Sequence, residues 1–330
     1  MTIARAAERA DLPRPQMRVE DAAAILFSHY GLEGDIVELG SQQDRNFRIR
    51  TADAAYVLKV CRSEYARIEL EAQNAAMIAI AGSQNAPLAP RPITARNGAE
   101  ILSLPVQGAD CQIRLLSYLE GEPLTRRKFL SERTRAGLGA ASARIASGLA
   151  TFEHPGLERD IQWDLRQALP VARAALGAVR DVAKGAQILA SMEAAHAVLL
   201  PLIADLRIQA VHHDVTDDNV VAVVDADGHP MPVGVIDFGD LMRGWLVGDL
   251  AVTCAALLHH ADGDPWFILP AVKAFHAVLP LNMAELTALW PLVVERAGVL
   301  IASSEQQLAV EPDNDYVAGN IDHERAIFDV

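Results

Sequence analysis

The sequence predicts an α+β chain of two unequal lobes, a small mixed β/α lobe over residues 1–119 and a larger, mainly helical lobe over 120–330. Three observations lead there. Strand-like runs crowd the first third of the chain around one helical stretch. After GEPL (121–124) the composition turns Ala- and Leu-rich with long helical periodicity. Within that helical part, two apolar runs flank a DADGHP turn, the pattern of a hairpin.

Taken in order, RVEDAAAILFSHYG (18–31) has apolar positions at helical spacing and stops at Gly31. DIVELG, NFRIR and AYVLKV read as strands. SEYARIELEAQNAAMIAIAG predicts a helix, with Ser63 as N-cap and Gly82 as terminator. The Pro-rich connector NAPLAPRPIT leads to two more strands, EILSLPV and CQIRLLSYL, and to a hinge near 117–121. Residues 126–208 are helical, and QAVHH, NVVAVV and PVGVIDF then interrupt them as strands. Helical patterns resume in WLVGDLAVTCAALLHHA, in PWFILPAVKAFHAVL and in MAELTALWPLVVERAGVLIASSEQQLAV.

Composition limits the function. A chain of 330 residues, 51% hydrophobic, has ample material for a core. Its net charge of −14 lacks the clustered basic surface that nucleic acid requires. Cys61, Cys111 and Cys254 lie far apart with no pairing pattern, as in reduced proteins. The N-terminal MTIARAAERADLPRPQ has no apolar stretch, and Glu8 and Asp11 oppose a transit peptide. No uninterrupted apolar run reaches the length of a membrane span; Asp249 breaks even LVGDLAVTCAALL. The expectation is a soluble, cytoplasmic protein that binds neither nucleic acid nor membrane.

The chemistry concentrates in VHHDVTDDNVV (211–221) and VGVIDFGD (233–240). A hairpin over the DADGHP turn returns Asp237 to the neighbourhood of Asn219. One carboxylate and one amide oxygen suit a hard cation such as Mg²⁺ beside substrate phosphates. Asp214, on the loop entering the hairpin, is placed to accept a proton from an attacking hydroxyl or to orient it. That division of labour is the one used in phosphoryl transfer. Zinc on His212, His213 and Asp214 is a rival, but adjacent histidines in an extended strand point to opposite faces. No GxxxxGK[ST] and no strand-following GxGxxG occurs.

H-x-D-x-x-x-x-N followed by IDFGD resembles the signature of the aminoglycoside phosphotransferase/choline kinase family, and within it the hydroxylysine kinase-like group. The resemblance implies a protein kinase-like two-lobed fold. It further implies Asp214 as catalytic base, Asn219 and Asp237 as metal ligands, His212 as a loop-organising side chain and Asp249 as structural. YVLKV resembles the strand that carries a phosphate-binding lysine, here Lys59, and the next helix offers Glu71 as its ion-pair partner, with Glu69 as second choice. LGSQQDRNFRI, with Gly40 and Ser41, stands where a phosphate-covering loop belongs. LLSYLEGEPL resembles the hinge, with Ser117 and Leu119 beside the nucleobase.

The implied activity is transfer of the γ-phosphate of ATP or GTP, with Mg²⁺, to a hydroxyl of a small amine-bearing metabolite, hydroxylysine first. Asp240, Arg243, Trp245 and Arg296 are the candidate acceptor contacts. The alternatives are an aminoglycoside, choline/ethanolamine or homoserine-type kinase on the same fold, or a silent kinase-like binding module. Fusion to, or association with, an aminotransferase-like domain is a further expectation, since HERAIFDV ends the chain still amphipathic. His259 and His260 read as capping or surface groups near a helix end, and Trp266 and Trp290 as core or substrate-wall aromatics, core first.

Overall fold

A computed structural model describes residues 14–41, 44–127, 129–178, 181–310 and 315–330. Glu8, Asp11 and the Gln42–Gln43 pair of the expected phosphate-covering loop lie outside the described residues.

Helix α1 (Val19–Ile25) runs on through a π-helical turn to Gly31, whose φ of 69° closes it in the left-handed region. Strands β1 (Asp35–Leu39), β2 (Arg45–Arg50) and β3 (Ala55–Cys61) follow, then α2 (Arg67–Gly82). The helix starts at Arg67 behind Ala66, so Ser63 does not cap it. Strands β4 (Pro92–Ile93), β5 (Leu102–Val106) and β6 (Ala109–Ser117) complete a six-stranded sheet, with order β1-β2-β3-β6-β4 and β5 also on β6. Its pairing is antiparallel, with Leu58 opposite Phe47 and Leu115, and Lys59 opposite Asn46 and Arg114.

Side chains alternate across a strand, so this register sorts the sheet by chemistry. Phe47, Ile49, Leu58, Val60, Ile113 and Leu115 share one face and pack with Ala22 and Leu26 of α1 in one hydrophobic core. Lys59 and Arg114 therefore fall on the opposite face. There Arg114 donates to Gln73 Oε1 (2.7 Å) and Asn74 Oδ1 (3.0 Å) of α2. A one-residue slip would drive both cations into the apolar core.

Beyond the sheet, β7 (Glu122–Pro123) leads to α3 (Glu132–Gly148), capped by the Ser131 hydroxyl, then α4 (Ala168–Ala175) and α5 (Val182–Leu199). Strand β8 (Ile208–Val211) pairs with β11 (Met242–Trp245), while β9 (Val220–Val224) and β10 (Pro230–Val235) form the expected hairpin, with β7 along β9. Gly121 (φ 138°) permits that approach, because a Cβ there would meet Val221 Cγ1 at 2.4 Å. Helices α6 (Leu246–Leu258), α7 (Leu269–Val278), α8 (Met283–Val310) and α9 (Asp315–Asp329) finish the chain. They share a large core with α3, α4 and α5.

Two segments, Val182–Asp205 and Met283–Ala309, are long and apolar enough to span a membrane by length and composition; 22% and 72% of their respective windows are buried inside the protein. Both carry charges that interrupt the apolar run. Trp266 and Trp290, expected in the core, are 70% and 40% exposed. Cys61, Cys111 and Cys254 are free and buried.

Candidate active site

Three backbone devices set the site. His213 takes φ 65° and Asp237 takes φ 55°, both in the left-handed region that side-chain-bearing residues seldom occupy. The fully buried Asp249 of α6 accepts the His213 N–H at 2.7 Å and so fixes the loop from below. The Asp214 N–H donates to His212 Nδ1 (3.2 Å), while the His212 ring sits edge-on to Phe238 at 4.5 Å. His212 is thus neutral, with its proton on Nε2, and burial drives its pKa down to about 4. It shapes the loop and has no exposed surface. His213 turns away, its Nε2 donating to the Trp163 carbonyl at 2.9 Å, so the two rings do not share a zinc ion with Asp214.

The hairpin does what its pattern predicts. The Ile236 N–H donates to the Asn219 carbonyl (2.8 Å), which carries Asp237 back beside the loop. Asn219 Nδ2 lies 2.5 Å from Asp214 Oδ2, and Asp237 Oδ1 accepts the Gly239 N–H at 3.0 Å. Lys59 reaches across from the sheet, with Nζ 3.0 and 3.1 Å from the two Asp237 oxygens and 3.5 Å from Asp44 Oδ2. Burial lowers the proton affinity of Lys59, but the two carboxylates outweigh it and the net displacement is upward. Burial likewise opposes ionisation of Asp237, yet Lys59 and the Gly239 N–H hold its carboxyl below the ordinary value.

Glu71 is not the partner of Lys59. Two residues away from the inward face of α2, it is exposed and pairs with Arg67 at 2.9 Å across one helical turn. Glu69 does point inward, but to Arg159 (3.0 Å), which also donates to the carbonyl of Gly239 at 2.6 Å. The face of α2 beside Lys59 presents Gln73 and Asn74, already engaged by Arg114.

A cleft of about 470 Å³ joins these groups. Lys59, Arg114, Asp237 and the neutral amide Asn219 are among its polar lining, and Ser41 and Asp44 join it from the β1–β2 connection. Val57, Met77, Leu116, Leu119, Val221 and Ile236 make an apolar slot by the hinge. Ser117 also borders it, but spends its N–H on the Arg91 carbonyl and its Oγ on the Arg91 N–H, both at 2.9 Å. The Tyr118 N–H goes to the Ala55 carbonyl (3.0 Å), and Leu119 lines the same cleft.

A second cavity of about 150 Å³ opens on the far side of the loop. Asp214, Asp218, Asn219, Asp240, Thr125 and Trp163 line both spaces, so Asp214 stands where they meet. Burial, then Asp240 close by, pushes the Asp214 carboxyl well above the ordinary value against the pull of Arg296. Burial also lifts Asp240, to about 6. Carboxylates so crowded, beside the oxygen donors Asp237 and Asn219, fit a hard divalent cation.

Of the acceptor candidates, Asp240 and Arg296 line the second cavity. Arg296 lies over the Trp163 ring at 4.7 Å and approaches Asp214 Oδ1 at 3.4 Å, with its buried Nη1 unpartnered among the described residues. Arg243 does not reach it, being tied to Glu153 and to Glu158 (2.6 Å) at the surface. Trp245 is buried in the large core and touches neither space. Trp163, Ser304, His323 and Glu324 join the cavity wall without having been anticipated from sequence. His259 and His260 are also inside, 9% and 7% exposed in their side chains, contrary to the surface reading.

The chain is 28% identical over 329 residues to a Xenopus laevis hydroxylysine kinase, covering 92% of this chain and 86% of that protein. Among solved structures, a microcompartment-associated aminopropanol kinase superposes with a TM-score of 0.74 at 18% identity, covering 94% of this chain and 95% of that one. An amicoumacin kinase in complex with AMP-PNP, Ca²⁺ and Ami gives 0.66 at 14% identity, covering 95% and 94%. These structural likenesses establish the kinase-like, two-lobed fold. A profile described as the phosphotransferase enzyme family matches residues 35–280, a span that holds Lys59, the loop and the hairpin, and by that match the chain belongs to the phosphotransferase enzyme family and is a small-molecule kinase.

Proposed function

We propose that the enzyme transfers the γ-phosphate of Mg²⁺·ATP or Mg²⁺·GTP to the hydroxyl of a small hydroxylated amino acid, with hydroxylysine as first candidate. The observation that carries this is the position of Asp214 at the junction of the cleft and the small cavity. Asp237 and Asn219 would hold the metal, which neutralises phosphate charge during transfer. Lys59 exchanges Asp237 for the nucleotide phosphates when the complex enters. Asp214, its loop set by His212, takes the hydroxyl proton, and its raised proton affinity suits a general base.

The cavity supports the acceptor class. At about 150 Å³ it is below the roughly 300 Å³ at which drug-sized pockets begin, which favours a small acceptor over an aminoglycoside. Buried Arg296 offers a planar fork to a carboxylate, and Asp218 and Asp240 face an ammonium. The similarity to a hydroxylysine kinase supports the same choice.

A coupled turnover screen with ATP and GTP, against hydroxylated amino acids, amino alcohols and aminoglycosides, tests the proposal. The highest kcat/KM is expected for acceptors bearing both ammonium and carboxylate. Arg296→Gln should raise KM for those more than for amino alcohols, whereas any change in kcat through its contact with Asp214 should fall on both classes alike. Equal kcat/KM for an amino alcohol lacking the carboxylate would overturn the assignment and favour an aminopropanol-type acceptor.

A further inference from the structure

We infer that Asp217, His259 and His260 form a second metal site, for a borderline transition ion such as Zn²⁺, in the wall of the acceptor cavity. The inference does not depend on the identity of the acceptor.

The geometry comes first. Asp217 Oδ2 lies 2.9 Å from His260 Nε2 and 3.3 Å from His259 Nε2, and all three ligand atoms fall within 4.8 Å of one another. Zinc bonded at about 2.0–2.1 Å in tetrahedral geometry separates its ligands by roughly 3.3–3.4 Å. Two of the three edges are already within a few tenths of an ångström of that spacing.

Asp217 Oδ2 therefore faces two imidazole nitrogens at once, His260 Nε2 at 2.9 Å and His259 Nε2 at 3.3 Å. A neutral imidazole offers one lone pair besides its one N–H, so each ring can present a ligand nitrogen to an ion seated beside the carboxylate.

The surroundings hold the three groups in place. The Asp217 side chain is 3% exposed, and its carbonyl accepts the N–H groups of Leu124 (2.9 Å) and Thr125 (3.3 Å). His323 of α9 stacks on His259 at 4.8 Å with an interplanar angle of 10°. His259 also lines the cavity, so a fourth position would open toward water or the acceptor. Two imidazoles select a borderline ion over Mg²⁺, whereas the oxygen donors of Asn219 and Asp237 select the opposite, so the two sites differ in metal class. Because Asp217 lies between Asp214 and Asn219, metal here would staple the catalytic loop to the end of α6.

The test uses the full chain, purified without a polyhistidine tag, stripped with chelator and titrated with Zn²⁺ and with Co²⁺. One equivalent should bind, with the visible d–d absorption of tetrahedral Co²⁺ and a rise in the thermal midpoint on adding Zn²⁺. His260→Gln and the near-isosteric Asp217→Asn should each lose both signals, and retained Mg²⁺·nucleotide binding would show that the variants are folded. If one variant fails to fold, the other and the wild-type titration decide. No stoichiometric binding to wild type, or binding that persists unchanged in a folded variant, overturns the site.

Discussion

Replacing Glu69 with Gln should damage this enzyme far more than replacing Glu71, although the two stand only two residues apart on α2. Glu69 and Arg159 have side chains 10% and 4% exposed and pair at 3.0 Å. Removing one partner of a buried pair leaves the other charge uncompensated, at a cost of about 3–5 kcal/mol. Here Arg159 keeps the Gly239 and Leu241 carbonyls, so the lower end, about 3 kcal/mol, is expected. Glu71 pairs with Arg67 across a solvated helix turn, at 45% and 50% exposure, and is worth about 0.3–0.5 kcal/mol at most. Urea unfolding of both variants, with kcat measured alongside, checks this. Glu69→Gln should lower the midpoint clearly and cut kcat as well, since Arg159 holds the loop that carries Asp237. A Glu71→Gln variant as unstable or as slow as Glu69→Gln would refute the assignment of helix faces.

Asp214→Asn should reduce kcat by about 10²–10⁴ and leave nucleotide affinity near wild type, since the carboxylate acts on the acceptor; single-turnover kinetics with equilibrium titration separates the two. Asp237→Ala should abolish Mg²⁺-dependent nucleotide binding by calorimetry, and unchanged affinity would place the metal elsewhere. Lys59→Met should cut kcat with the fold intact, by circular dichroism and activity together. Asp249 predicts a pH dependence of stability. Burial raises its carboxyl from 3.8 to about 7, so the folded state binds more protons than the unfolded chain between those values. Its contribution therefore declines as pH rises from about 4 to 7, and Asp249→Asn should flatten that part of the stability profile measured by denaturant titration.

Most of the longer strands and the loop–hairpin relation could be read in the sequence, because period-two alternation and turn chemistry are local signals. The same holds for Lys59 and Asp237, which occupy marked positions in short motifs. The partner of Arg159 could not be read, because α2 offers two glutamates and only the rotation of the helix against the sheet chooses between them. Trp163 and Arg296 meet from segments more than a hundred residues apart, and no spacing encodes that encounter. Arg243 and Trp245 sit beside the metal loop in sequence, yet Glu153 and Glu158 hold Arg243 at the surface, while Trp245, where the strand passes into α6, is buried in the large core. His259 does cap the end of α6, but a helix end in sequence can also be the wall of a cavity in space, and His259 lines one rather than the surface.

The link from Glu69 through Arg159 to the Gly239 carbonyl also bears on how the enzyme is controlled. It bolts α2 to the metal loop with buried charge, so swinging the helix outward would break that ion pair and leave the buried Arg159 guanidinium with only its two carbonyl partners. Kinases switched by a mobile helix need two nearly isoenergetic positions for it. This chain has invested in one. Its throughput should follow the supply of acceptor and nucleotide, without an on–off step at α2, as befits an enzyme kept permanently ready for its metabolite.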